Sequence, residues 1–359
     1  MYKLFSCRAA SIPACSITPG GNLGKCRRHL AINKTLFGSS RNTSHEKHIL
    51  ILGSGAVGTY YGARLAEAGH NVYFFTNSQS SNYRTAGITV SSPNGDIRIP
   101  KPNVVSSKDE VSRKMDWIVV AVKSYAIAED IQNLVAPSMQ QNTRILIAMN
   151  GLGMEKKFAA WFSPQKIFGA IPYIAAYRRP DDGHIEHVKY NGLDIGHYLD
   201  TPAELLEAKN VWGSTTLDLT ISPCLLLSRW GKVLFNFPFN GLSVAHGGIT
   251  IQDIVQDPAL RCQAHEIIEE CRLAANADLT FNNSKHRIAK DYHEKVFGML
   301  DKIGPYKTSS TIDFLNGKQL ELHYIFQTPI DAALEHGTPH SRMSALFDDV
   351  KRVCAAHAT

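Results

Sequence analysis

The sequence has no C-x-x-C pair, no H-E-x-x-H, no G-x-S-x-G turn, and no apolar run reaching the roughly 18–20 residues that a membrane helix needs. In turn, these absences exclude a dithiol redox centre, a zinc-protease helix, a serine-hydrolase elbow and a helical membrane span. The seven cysteines are odd in number and widely spaced: Cys7, Cys15 and Cys26 near the start, then Cys224, Cys262, Cys271 and Cys354. That pattern argues against a disulfide framework and for free thiols in a reducing compartment. The body histidines, such as His246, His323, His336 and His340, show no metal-ligand spacing, and no metal is expected.

Negative charge is missing from one end. Residues 1–45 hold Lys3, Arg8, Lys25, Arg27, Arg28, Lys34 and Arg41 but no Asp or Glu. Of 38 basic and 32 acidic residues in the chain, the body therefore keeps 31 against 32 and is near neutral. It offers no basic surface for nucleic acid, and the expected partner is a small molecule. Tyr2, Phe5, Ala9 and Ile12 share a helical face until Pro13 interrupts it. Residues 1–46 thus read as a basic leader with the composition of a mitochondrial transit peptide, placing the mature protein in the matrix. A plain basic tail on a cytoplasmic protein is the alternative.

With 359 residues and 44% hydrophobic content, the chain can build two domains with sizeable cores. Residues 48–52, 71–75, 117–122 and 145–149 are short apolar runs, and residues 56–68 between the first two read as a helix ended by Gly69. Strands that are apolar throughout suit a parallel sheet covered on both faces, and their alternation with helices implies a doubly wound α/β fold. Residues 167–196 carry shorter strand candidates, expected as an antiparallel edge. After Pro223 the pattern turns helical, with candidate helices at 225–245, 257–275, 284–299 and 316–336. The expected fold is a Rossmann-type domain over residues 47–223 followed by an all-helical domain over 224–359.

Gly53-Ser54-Gly55-Ala56-Val57-Gly58 is a G-x-G-x-x-G directly after a strand and opening a helix. The first glycine permits the tight turn, the second lets the backbone approach a pyrophosphate, and the third allows close helix–strand contact. Free amides and the dipole at the helix start favour the anion. The motif alone is weak, but in this strand–turn–helix setting it signals a bound dinucleotide. The second strand is followed by Thr76-Asn77-Ser78-Gln79-Ser80-Ser81, without the acid that would accept a ribose 2′-hydroxyl. NADP(H) is therefore favoured over NAD, although the nearest arginine, Arg84, stands some way along. Lys123 and Asn150 follow two further strands, on the edge where ligands of such sheets gather.

In the helical half, Trp230-Gly231-Lys232-Val233-Leu234-Phe235-Asn236-Phe237-Pro238-Phe239-Asn240 places Lys232, Asn236 and Asn240 at i, i+4 and i+8. On a helix they form one polar stripe in an otherwise apolar segment. Either the stripe is solvated, or it faces a polar ligand, because burying such groups without partners costs about 1–3 kcal/mol each. Pro238 removes one hydrogen bond and is expected to bend the helix. By spacing alone, residues 309–313 and Glu321 read as a capped helix start and a solvated acid.

Taken together, these segments resemble the ketopantoate reductase family over residues 48–353. The resemblance rests on the glycine fingerprint, Lys123 after a W-I-V-V strand, Asn150-Gly151-Leu152-Gly153 as N-G-x-G, and Trp230, Lys232, Asn236 and Asn240 as W-x-K-x-x-x-N-x-x-x-N. Ser309, Asp313 and Glu321 complete the order as S-x-x-x-D with Glu eight residues on. The resemblance implies hydride transfer from NADPH to the carbonyl of 2-dehydropantoate, giving pantoate for coenzyme A synthesis. Lys232 would be the general acid. Asn236 and Asn240 would hold the substrate's oxygens, Ser309 its carboxylate, and Asn150 both substrate and cofactor. Glu321 would contact the nicotinamide ribose, and Ala175 matches a cofactor-contacting alanine. Two departures stand out. Some members carry Arg where this chain has Asn77, and some carry a further substrate Asn where it reads His246-Gly247-Gly248-Ile249-Thr250. They leave open another branched 2-oxo acid, or NADH. A non-catalytic organellar protein on the same fold is the reading of a different class. A homodimer is the one protein partner entertained.

Overall fold

The computed structural model describes residues 46–357 except 77, 112 and 128. Residues 1–45, and with them the expected leader, lie outside the described residues. The first half runs β1 (His48–Leu52), α1 (Ala56–Glu67), β2 (Asn71–Phe75), α2 (Ser80–Ala86), β3 (Ile88–Ser91), β4 (Ile97–Ile99), β5 (Asn103–Val105), β6 (Trp117–Val120), α3 (Glu129–Val135), β7 (Arg144–Ile147), α4 (Met154–Trp161), β8 (Ile167–Arg178), β9 (Ile185–His197), α5 (Pro202–Trp212) and β10 (Asp218–Ile221). Strands β5-β2-β1-β6-β7-β8 lie side by side, all parallel. This is the 3-2-1-4-5-6 order of a dinucleotide-binding sheet, whose crevice opens where the order reverses, between β1 and β6.

The alternating faces of these strands explain their apolar sequence. Ile49, Ile51, Trp117 and Val119 pack on one side with Tyr60, Tyr61 and Phe74. Leu50, Leu52, Ile118 and Val120 pack on the other with Ile145 and Phe158. Each such aliphatic side chain, fully buried, contributes about 1.5–3 kcal/mol. Gly62 lets α1 lie close on the sheet, because a Cβ there would come within 2.6 Å of the Phe74 ring.

The expected antiparallel edge at 167–196 is a long β8–β9 hairpin, and it is not an edge. Strand β9 pairs antiparallel with β8, then parallel with β3 at one end and with β10 at the other. Strands β3, β4, β5 and β10 are too short for periodicity to reveal.

The second half is helical: α6 (Leu225–Ala245), α7 (Ile251–Gln256), α8 (Pro258–Phe281), α9 (Tyr292–Leu300), α10 (Ser309–Leu315), a π-helical turn (His323–Gln327), α11 (Thr328–Glu335) and α12 (Ser341–His357). Helix α6 is buried nearly all round and runs unbroken through Pro238. Two expected helices are shortened. Within 284–299, the Asn276 side chain binds the Ile288 amide at 2.8 Å and its carbonyl at 3.0 Å, and helix begins only at Tyr292. Within 316–336, Gly317 takes φ +63° and Lys318 donates to the Asp313 carbonyl at 2.9 Å, closing α10 before the π turn. Among the described residues no helix is long and apolar enough to cross a membrane.

Candidate active site

The glycine turn is shaped by backbone contact. Gly53 has φ +97°, and a Cβ on it would lie 2.7 Å from the Val122 side chain and 2.8 Å from the Ala121 carbonyl oxygen. A Cβ on Gly58 would collide with the Gly53 carbonyl oxygen. At Gly55 a Cβ would meet nothing within 4 Å. Two glycines are therefore required by the fold, and the third leaves an open face. Helix α1 starts at that face with no side-chain cap and no acid in its first turn. Its Ala56 and Val57 amides suit an anion, so the turn fits a dinucleotide pyrophosphate. Ser54 Oγ donates to the Phe75 carbonyl at 3.1 Å and ties the turn to the end of β2.

Beside the turn, past the carboxyl end of β6, Lys123 Nζ sits 2.5 Å from Asp313 Oδ2 and 3.4 Å from Glu321 Oε2. The Ser124 amide donates to Glu321 Oε1 at 2.8 Å. Burial alone would lower the Lys123 pKa, but the Glu321 and Asp313 carboxylates outweigh it and raise it. The two acids that spacing alone reads as ordinary thus stitch the helical half to the cofactor edge. Asn150 follows β7 in a turn that docks on the π-helical turn. Gly151 has φ +112°, a Cβ there would lie 2.7 Å from the Tyr324 Cβ, and the Leu152 amide donates to the Tyr324 carbonyl at 2.9 Å.

The two amides of the stripe on α6 are buried and Lys232 is partly so, which argues against a stripe turned to solvent. Asn236 is 7% and Asn240 2% exposed. Asn240 Nδ2 donates to Ser310 Oγ at 3.1 Å, while its Oδ1 is buried with no hydrogen-bond partner. A buried acceptor left bare costs about 1–3 kcal/mol, which a hydrogen-bond donor would relieve. Lys232 Nζ lies 4.4 Å from the centre of the Tyr173 ring and 5.8 Å from that of Phe235. Desolvation lowers its pKa to about 8, against the charge of Asp194, which raises it. An ammonium with a pKa near 8 can give up a proton near neutrality.

Ser309 is exposed in the first turn of α10, just after the capping residue Thr308, and it is the next residue, Ser310, that holds Asn240. Ala175 lies in the bulged part of β8, half-buried, and Arg178 three residues on is the group that reaches the glycine turn. Arg178 donates to the Ser54 carbonyl, to Thr59 Oγ1 at 3.1 Å and to the Tyr83 hydroxyl at 2.6 Å. Arg84 is bound to Glu110 at 2.7 Å. Asn77 lies outside the described residues. His246-Gly247-Gly248 form the turn after α6, and Thr250 caps α7 with Asp253.

Sequence reasoning missed the strut that joins the halves. Arg229 donates to Glu155 Oε1 at 2.9 Å, to the Ile147 carbonyl at 2.9 Å and to the Met149 carbonyl, and both side chains are almost wholly buried. Its signal was one arginine in an apolar stretch, three residues before Lys232. It sets the strand end that carries Asn150 against the helix that carries Lys232.

The family described as Ketopantoate reductase PanE/ApbA matches residues 49–200, and its C-terminal counterpart matches residues 225–353. The 2-dehydropantoate 2-reductase of Nostoc sp. is 26% identical over 313 residues, covering 86% of this chain and 95% of that one. The crystal structure of 2-dehydropantoate 2-reductase from Geobacter metallireducens superposes with a TM-score of 0.80 at 28% identity, covering 85% of this chain and 99% of that one. A D-mandelate dehydrogenase in complex with NADH and anilino(oxo)acetate shares the fold, with a TM-score of 0.75 at 16% identity and coverage of 86% and 99%.

Proposed function

The chain belongs to the ketopantoate reductase family, a family of oxidoreductases, and on that premise we propose that it reduces 2-dehydropantoate to pantoate with NADPH. The observation that carries this reading is the Lys232–Asn236–Asn240 stripe, with two buried amides, a largely desolvated ammonium and a bare Asn240 acceptor. The glycine turn would hold the pyrophosphate, Lys123 and Glu321 the ribose edge, and Asn150 the junction with the substrate. When bound there, the nicotinamide supplies a hydride to the carbonyl carbon. Lys232 stabilises the negative charge growing on the carbonyl oxygen and gives that oxygen its proton, leaving a neutral amine that solvent reprotonates. Asn236 and Asn240 orient the substrate's oxygens, and Ser309 meets its carboxylate. Arg178, a cation beside the turn and close to the end of β2, supports the choice of a 2′-phosphorylated cofactor. The test is absorbance at the nicotinamide band with 2-dehydropantoate and each reduced cofactor. Turnover with neither sinks the proposal and favours a non-catalytic role.

A second reading keeps the chemistry but changes the substrate to another branched 2-oxo acid, with NADH. It is favoured by the His246–Thr250 departure and by the NADH-bound D-mandelate dehydrogenase that shares the fold. A panel of 2-oxo acids with both cofactors separates the two. We also propose that the acid-free leader directs the chain to mitochondria. Fractionation of cells expressing the full chain and a chain beginning at residue 47 tests this, and equal cytoplasmic recovery of both would refute it.

A further inference from the structure

Asp194 is wholly buried in the middle of β9, in the segment Gly192-Leu193-Asp194-Ile195-Gly196. A lone carboxylate in such a place is costly unless it has a cationic partner. The register shows which element the carboxylate faces. Asp194 stands opposite Ile171, while Gly196 pairs with Gly169 and Gly192 with Tyr173. Leu225, which opens α6, rests on Gly169 and Gly196: a Cβ on either would come within 2.7 or 2.8 Å of it. Lys232, seven residues further along α6, rests on the Tyr173 ring. Seven helical residues advance about 10 Å, and the four strand residues from Gly169 to Tyr173 about 13 Å. The helix therefore runs along this hairpin, with the Ile171–Asp194 pair beneath it between those two contacts. Leu193 and Ile195 point to the opposite core, against Tyr60 and Trp212, so Asp194 points to the α6 side.

We propose that Asp194 is a positioning residue whose charge, acting from beneath α6, keeps the Lys232 ammonium protonated. The proposal rests on the reading of Lys232 as proton donor. Among the described residues, neighbouring charged groups of α6 are engaged elsewhere, including Asp200, which accepts the Leu225 amide at 3.0 Å. Arg229 is closed by Glu155 of α4, Asp278 of α8 takes the Trp230 indole at 2.7 Å, and the Tyr292 hydroxyl of α9 binds the Gly231 carbonyl at 3.0 Å. Tyr173 of β8 meets Lys232 with its ring face. Asp194 is the carboxylate whose charge works against the desolvation of Lys232.

Asp194→Asn keeps the shape and removes the charge. The alkaline limb of the kcat/KM profile, set in the wild type by an ammonium with a pKa near 8, should then move about one pH unit or more to lower pH, so that the loss grows with pH. Asp194→Glu should hold the limb in place. Asp194→Ser, also neutral, is the second variant if the amide does not fold. Competitive labelling of Lys232 with an amine reagent, read by mass spectrometry from pH 6 to 10, reports the same ionisation without turnover. An unmoved limb and labelling curve, or a loss uniform across pH, would overturn the proposal. A wild type that turns over no 2-oxo acid would instead defeat the functional reading, and the labelling would still decide whether Asp194 governs Lys232.

Discussion

The two halves build their shares of the site from different material. The sheet half shapes its pyrophosphate site from backbone: a turn of glycines and uncapped amides at the start of α1, with Lys123, Asn150 and Arg178 at its margin. The helical half uses side chains set in place by packing: an ammonium over an aromatic ring and two buried amides on a mostly apolar helix. A backbone site tolerates many side chains but no added Cβ at Gly53 or Gly58. A side-chain site depends on groups that are costly to bury, so its chemistry and its cost sit in the same atoms. The sharpest break between them is expected from Lys232→Ala. It should lower kcat by about a hundred- to ten-thousandfold, the range for removing a positioned general acid, while the Kd for NADPH measured by fluorescence titration stays near the wild-type value. Equal losses in kcat and cofactor affinity would erase the division.

The reverse break belongs to Gly58→Ala. The new methyl meets the Gly53 carbonyl oxygen, a backbone atom, and cannot be relieved by a rotamer change. Overpacking of this kind costs about 1–3 kcal/mol. At the upper end that is about a hundredfold in cofactor Kd, with 2-oxo acid recognition on α6 spared. Arg178→Met probes the seam between turn and hairpin. It should lower kcat/KM with NADPH about tenfold, the lower end for a charge-assisted hydrogen bond, since the guanidinium is partly open to solvent. The value with NADH should hardly change. A uniform loss with both cofactors would make Arg178 a brace of the Ser54 carbonyl and nothing more.

The same contrast governs what could be read from the amino acids. The parallel strands were legible because burial on both faces leaves unbroken apolar runs such as Ile49–Leu52 and Trp117–Val120. The glycine turn was legible because two of its glycines answer a packing need and the third leaves an open face. The stripe was legible as spacing, while the choice between solvent and cleft required packing that spacing does not contain. Strands of three or four residues such as β4 and β5 give too few alternations to register. The supports of the site were the least visible. Arg229 bonds to residues 74 and more positions away, and Asp194 acts on Lys232 across the β9–α6 contact. Such partners are made by topology, and no local window holds both members.

The smallest predicted effect tests whether the helical half is built for its ligand rather than for itself. Asn240 donates to Ser310 but keeps Oδ1 bare inside the protein. If that acceptor is held for the substrate, Asn240→Ala should lower kcat/KM for the 2-oxo acid about tenfold, the worth of one neutral hydrogen bond at the upper end of its range. The NADPH Kd should not follow. Stability should fall much less than in an ordinary core truncation, because deleting the bare acceptor removes about 1–3 kcal/mol of desolvation cost that offsets the lost packing. A Tm close to the wild type beside a clear fall in kcat/KM is the expected pair of results. A large drop in Tm with kcat/KM intact would show that Asn240 serves the Ser310 contact, and that the helical half, like the sheet half, spends its buried polar groups on its own architecture.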